Sequence, residues 1–213
     1  MFRKRGVSQV VRPVCLLAGV LLAAQASHAQ MEVAVQAGWS TFRGGKLGET
    51  TVLAYPQPVL LDVRLSDGFR AGAAITINQW EYLAHEVGYS YQRTHLKYTV
   101  SPKNPPLEIT NREVAGEGLG VHTLCYNFVA HAARQLSRVR PFATAGLGGA
   151  TIRHDRKFVA NVGGGLKIRL SDRYGIRLDV RDYVIQKLRD IQITPEPGWQ
   201  HNLAYSAGFS LFL

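Results

Sequence analysis

A chain of 213 residues is the length of one domain, and its 25 lysines and arginines against 15 acidic residues are scattered singly, which excludes a basic nucleic-acid-binding arm. Hydrophobic residues make up 46%, yet no stretch after Ala29 is long and apolar enough for a transmembrane helix. Cys15 lies in a segment expected to be removed and Cys125 is left alone, which excludes a disulfide-stapled fold.

Residues 1–29 read as a cleaved secretory signal. Arg3, Lys4, Arg5 and Arg12 make a basic start, 14–24 is a short apolar run, and Ser27-His28-Ala29 places small residues where a signal peptidase reads. The run is short for a spanning helix, so cleavage is expected in preference to an N-terminal anchor. Cys15 lies at the start of the apolar run and not at the cleavage site, which argues against a lipoprotein. The mature chain, 30–213, then carries 21 bases against 15 acids, a net +6.

Short alternating segments separated by turns fill the rest, the pattern of a transmembrane β-barrel. A first strand is expected over 32–42, with Val33, Val35, Ala37 and Trp39 on one face and Ala34, Gln36, Gly38 and Ser40 on the other. A long connection, 43–68, follows. Within it 59–66 alternates too, either as an extension of the second strand or as a loop hairpin. The second strand, 69–77, opposes Phe69, Ala71, Ala73, Ile75 and Ile77 to Arg70, Gly72, Ala74 and Thr76. After a turn at 78–80, the third strand (81–98) sets Leu83, Val87, Tyr89 and Tyr91 against Glu86, Gly88, Ser90 and Gln92. His85 falls awkwardly on its apolar face.

The proline-broken stretch 99–116 reads as a loop. A fourth strand is expected at 117–128, its early part ambiguous and its later part placing Leu124, Tyr126 and Phe128 away from Thr123, Cys125 and Asn127. A basic turn (132–139) leads to the fifth strand, 140–153, and a short loop (154–157) to the sixth, 158–170. Ser171 to Gly175 makes a tight turn. The seventh strand, 176–187, opposes Ile176, Leu178 and Val180 to Arg177, Asp179 and Arg181. A last loop, 188–200, precedes the eighth strand, 201–213.

Eight strands, each near the ~10 residues that cross a bilayer when tilted, predict an all-β, eight-stranded antiparallel up-and-down transmembrane barrel. Longer external loops alternate with shorter periplasmic turns, the short third external loop (154–157) being the exception, which puts both termini in the periplasm. Trp39, Tyr89, Tyr91, Trp199 and Tyr205 fall near the external strand ends, and Trp80, Tyr82, Tyr126 and Phe128 near the periplasmic ones, as two interfacial girdles. A soluble lipocalin-like barrel would instead turn its apolar face inward.

Three stretches resemble the bacterial outer-membrane β-barrel superfamily, in the small group related to the OmpA transmembrane domain. They are Gly163-Gly164-Gly165 with Leu166-Lys167-Ile168-Arg169, then Gly175-Ile176-Arg177-Leu178-Asp179, then the terminal strand. There Ser206, Gly208, Leu211 and Leu213 resemble the C-terminal insertion signal, with Leu213 where many members end on phenylalanine. The resemblance implies a Gram-negative outer-membrane location, outer-membrane lipid around the wall, assembly by the insertion machinery, and a monomer.

Chemistry concentrates on the expected inward faces: Arg70, Glu86, Lys167, Arg169, Arg177, Asp179 and Arg181. An eight-stranded barrel is just filled by its side chains, and unpaired buried charge is expensive. An ionic plug is therefore the first expectation, and a small anion-selective conductance the alternative. Gly146-x-Gly148-Gly149 and Gly163-Gly164-Gly165 match no phosphate-loop or dinucleotide pattern. His85, His95, His122, His131, His154 and His201 show neither HExxH nor Cys/His metal spacing, so no metal, cofactor or catalytic site is expected. A lipid A-modifying barrel enzyme would need a Ser-His-acid set on the outer wall, and His85 and Ser90 fall on opposite faces. Any binding role belongs to the external loops, toward an unidentified ligand.

Overall fold

The computed structural model describes residues 30–43, 47–53, 58–100, 114–153, 155–186, 194–195 and 198–213. The expected signal segment, 1–29, lies outside them. Eleven strands follow in order: β1 (Gln30–Arg43), β2 (Gly48–Leu53), β3 (Pro58–Leu65), β4 (Gly68–Asn78), β5 (Leu83–Val100), β6 (Val114–His131), β7 (Val139–Ile152), β8 (Asp155–Arg169), β9 (Tyr174–Gln186), β10 (Thr194–Pro195) and β11 (Trp199–Phe212).

Eight of these close a ring, each antiparallel to the next: β1, β4, β5, β6, β7, β8, β9, β11 and back to β1. Closure leaves no sheet edge in the hydrocarbon layer, the condition for spanning lipid with strands. The seam is the β1–β11 pair, running from Glu32 opposite Phe212 to Arg43 opposite His201. Two glycines make its close backbone approach feasible. A β-carbon on Gly208 would lie 2.1 Å from the Val35 carbonyl oxygen, and one on Gly38 1.8 Å from that of Tyr205.

The remaining strands build a raised flap at the rim away from the termini. β2 pairs with β3, β3 with the far end of β5, and β10 with β2. The stretch 59–66 thus satisfies both expectations. It is one arm of a hairpin, and it also continues the line of β4 along β5, interrupted only at Ser66–Asp67.

The strands outrun their expected ends because hydrogen bonding continues past the apolar band. Thr99 and Val100 belong to β5 and residues 114–116 to β6, and the rest of the expected loop, 101–113, lies outside the described residues. The connection expected at 154–157 shortens, since 155–157 belong to β8 and Ile152 pairs directly with Asp155. Arg153 enters that connection with φ 54°, in the left-handed region. The turn expected at 78–80 spans 79–82 instead. Of the loop expected at 188–200, β10 and the start of β11 are described.

Side chains alternate as the period-two pattern requires. Val35 (57% exposed), Leu124 (56%), Leu147 (58%), Val162 (58%) and Phe209 (67%) point outward. Such a belt is costly in water and suited to lipid. Both aromatic sets also point outward. His85 is accommodated there by its neighbours: it shares a 2.5 Å hydrogen bond with the Tyr126 hydroxyl, meets the Phe128 ring edge-on and lies tilted against Trp80. The interior is divided. Toward the far rim it is apolar, with Leu96, Leu119, Val121, Ile152, Val159 and Ile185 packed around Leu47 and Leu65. Toward the termini it is ionic.

Candidate functional site: the charged lumen

Period two along β9 points Arg177, Asp179 and Arg181 into the lumen in succession. Opposite them β5 contributes Glu86, which is fully buried. Arg177 donates to Glu86 at 2.6 Å and Arg181 at 2.8 Å, one to each carboxylate oxygen. The same two guanidiniums reach Asp179: Arg177 at 2.8 Å, Arg181 at 2.8 Å through Nε and 2.9 Å through Nη2. Two cations and two carboxylates therefore form one closed network spanning the lumen.

Neutral donors complete it. Thr76 and Asn127 each donate to Glu86 at 3.1 Å, and Asn161 donates to Asn127 at 2.8 Å. The Phe142 ring lies beneath the Arg177 guanidinium, 4.8 Å away. Charge taken out of water survives only when its lone pairs and protons are used this fully.

A second pair lies beside the first. Lys167 on β8 meets Glu32 on β1, and Ser210 donates to the other Glu32 oxygen at 2.7 Å. Arg169 stands apart from the sequence-derived cluster. It is only partly buried, at the mouth nearest the termini, held by Gln30 (3.2 Å), the Gln135 carbonyl (3.4 Å) and the Phe212 ring (4.2 Å). Arg70 is buried without a carboxylate in contact among the described residues; it donates to Ser90 at 2.5 Å and lies 3.9 Å over the Tyr183 ring.

Among the described residues, two charges in the ionic half of the lumen escaped the sequence reading. Glu32 continues the Ala34–Gln36 face by period two, and Arg140 continues that of Phe142 and Thr144. Both sit near strand starts, where faces are hardest to assign. Arg140 donates to the Asn78 side chain (2.7 Å) and to the carbonyls of Glu81 (2.7 Å) and Ala133 (3.2 Å).

Between Arg70, Gln36, Ser90, Arg181 and Ser206 lies a cavity of about 10 Å³, room for about one water. Among the described residues no three His, Cys, Asp or Glu groups are placed to hold a metal ion. Cys125 is buried and free. His85 and Ser90 are on opposite faces of β5. The outer wall does carry one His-acid pair, His201 and Asp182 at 2.7 Å. On β11, Ser206 and Gly208 face inward while Leu211 and the exposed Leu213 face outward. The glycine runs sit inside β7 and β8, and strands β8 and β9 follow them.

Solved structures share this architecture. OprG of Pseudomonas aeruginosa aligns with a TM-score of 0.57 at 8% identity, over 87% of this chain and 97% of that one. Neisserial surface protein A aligns at 0.51 and 13% identity, covering 85% and 96%. The outer membrane protein AlkL, solved in lipid bilayers, aligns at 0.51 and 15%, covering 88% and 92%. A search of curated protein sequences finds no match. The family model for the outer membrane protein beta-barrel domain matches residues 13–210. The chain therefore belongs to the outer membrane protein β-barrel domain family.

Proposed function

We propose that this protein is a closed outer-membrane barrel that carries a surface-exposed rim, with both termini in the periplasm, and that it is not a pore. The observation that supports this most is the four-membered network of Glu86, Arg177, Asp179 and Arg181, in which every member is at most 4% exposed. Above it the lumen is filled by apolar side chains, so an ion entering from the far rim would first cross a dehydrated layer. The flap of β2, β3 and β10 and the long strands β5 and β6 raise the wall on one side of that rim, and recognition of an outside ligand would belong there.

Surrounding lipid is the constant partner of the wall. The terminal strand supplies both seam closure and, through Ser206, Gly208, Leu211 and Leu213, the address for the insertion machinery. The second reading, an anion conductance, draws on the excess of buried cations over acids. Single-channel recording on the refolded full chain separates the two. Silence across voltages is expected; steady anion-selective steps would overturn the closed-barrel reading.

A further inference from the structure

Buried charge in the ionic half of the lumen does not cancel. Among the described residues, Arg70, Arg140, Lys167, Arg177 and Arg181 face Glu32, Glu86 and Asp179, five cations to three acids. Arg177 and Arg181 share Glu86 and Asp179, and Lys167 has Glu32. Arg140 spends its donors on an amide and two carbonyl oxygens. That leaves Arg70.

A guanidinium carries five N–H donors. Among the described residues Arg70 gives one to Ser90, and its face rests on Tyr183. Asp179 lines the same cavity, but both its oxygens already accept from Arg177 and Arg181. The shortage of acceptors extends to Gln92, the register partner of Arg70. Its carbonyl accepts from Asn202 at 2.7 Å, while its buried Nε2 has no acceptor. Gln36 and Ser206 complete the polar wall of the cavity, where Ser206 donates to Gln36 at 3.3 Å.

We infer that the cavity beside Arg70 is a binding site for one small monovalent anion of the halide class, held by the Arg70 guanidinium and the hydroxyl and amide groups around it. A water would satisfy donors but leave the charge uncompensated, and a buried unpaired cation is costly. A cavity with room for about one water suits a monatomic ion better than sulfate or phosphate. This inference concerns a resident ion and does not depend on whether the barrel conducts: current decides that question, and occupancy decides this one.

The test is to refold the full chain in detergent in sodium bromide, chloride, gluconate or sulfate at matched ionic strength. Thermal loss of the compact, heat-modifiable band is followed, and the bromide form is crystallised for anomalous scattering. The expected results are a bromide peak in contact with the Arg70 guanidinium and a higher midpoint in both halides than in gluconate or sulfate. At ten times its dissociation constant the ion would multiply the folded-to-unfolded ratio about tenfold. Arg70→Met should erase the difference between salts. If that variant does not fold, the wild-type map and salt series still decide. No peak at Arg70, a peak with no halide-specific midpoint shift (an adventitious ion only), or a shift retained in Arg70→Met would each overturn the site.

Discussion

Arg177 on β9 donates to Glu86 on β5 at 2.6 Å across the barrel, although 91 residues separate them in the chain. Neither strand touches the other, because β4, β1 and β11 lie between them on one side and β6, β7 and β8 on the other. The contact crosses the lumen itself. It ties opposite walls of the cylinder together, and it does so where a conducting path would have to pass.

Glu86→Ala leaves Arg177 and Arg181 facing only Asp179. Breaking a buried network by removing one partner typically costs about 3–5 kcal/mol. The urea midpoint of the refolded barrel in detergent should fall accordingly, while an Asp182→Ala change on the outer wall, which touches the half-exposed His201, should cost about 1 kcal/mol or less. Equal effects from both would mean that the lumenal network is not a stability element.

Val35→Arg tests the lipid-facing wall. Val35 lies midway along the outward face of β1, between Met31 and Trp39. An arginine at the bilayer midplane costs about 2–4 kcal/mol, whereas the same change on a water-exposed wall would cost within about 0.5 kcal/mol. Folding into lipid vesicles, measured by equilibrium titration with denaturant, should show the larger loss.

Seam packing and the assembly signal can be separated at the last strand. Gly208→Ala should slow or prevent folding even into detergent, because the added β-carbon meets the Val35 carbonyl oxygen at 2.1 Å. Leu213→Asp, at an exposed outward end, should fold in detergent yet accumulate poorly in the outer membrane of cells. Normal cellular assembly of Leu213→Asp would remove the insertion role from this residue.

Cys125 reports on closure of the wall. Its thiol is buried on the lumen side of β6, where Gly148 lies opposite. A thiol-reactive maleimide should leave the folded barrel unlabelled and label it fully once heated in denaturing detergent. Rapid labelling of the compact form would place the lumen in contact with solvent.

Much of the site was legible before folding was considered. Arg177, Asp179 and Arg181 alternate with Ile176, Leu178 and Val180, so period two alone turns all three inward together. Glu86 and Arg70 follow by the same rule. Strand ends were harder. Glu32 and Arg140 are the first residues of the expected strands 32–42 and 140–153, where neighbours on only one side establish the phase. The early part of β6 was ambiguous for another reason: Leu119 and Val121 are apolar and yet point into the lumen, because the far half of the interior is an apolar plug.

From the sequence by itself came the number of barrel strands, the alternation of faces, most of the inward charges and the outward aromatic girdles, because each depends on spacing along the chain. Only the tertiary structure decided which charges meet. Partners such as Glu86 with Arg177, and Lys167 with Glu32, are set by the stagger with which eight strands close. No local pattern encodes that stagger. The structure also decided that 59–66 is both hairpin arm and strand continuation, and that, among the described residues, Arg70 is left without an acid and with one oxygen acceptor, the Ser90 hydroxyl. These are consequences of closure: a side chain's face is a property of its strand, but its partner is a property of the ring.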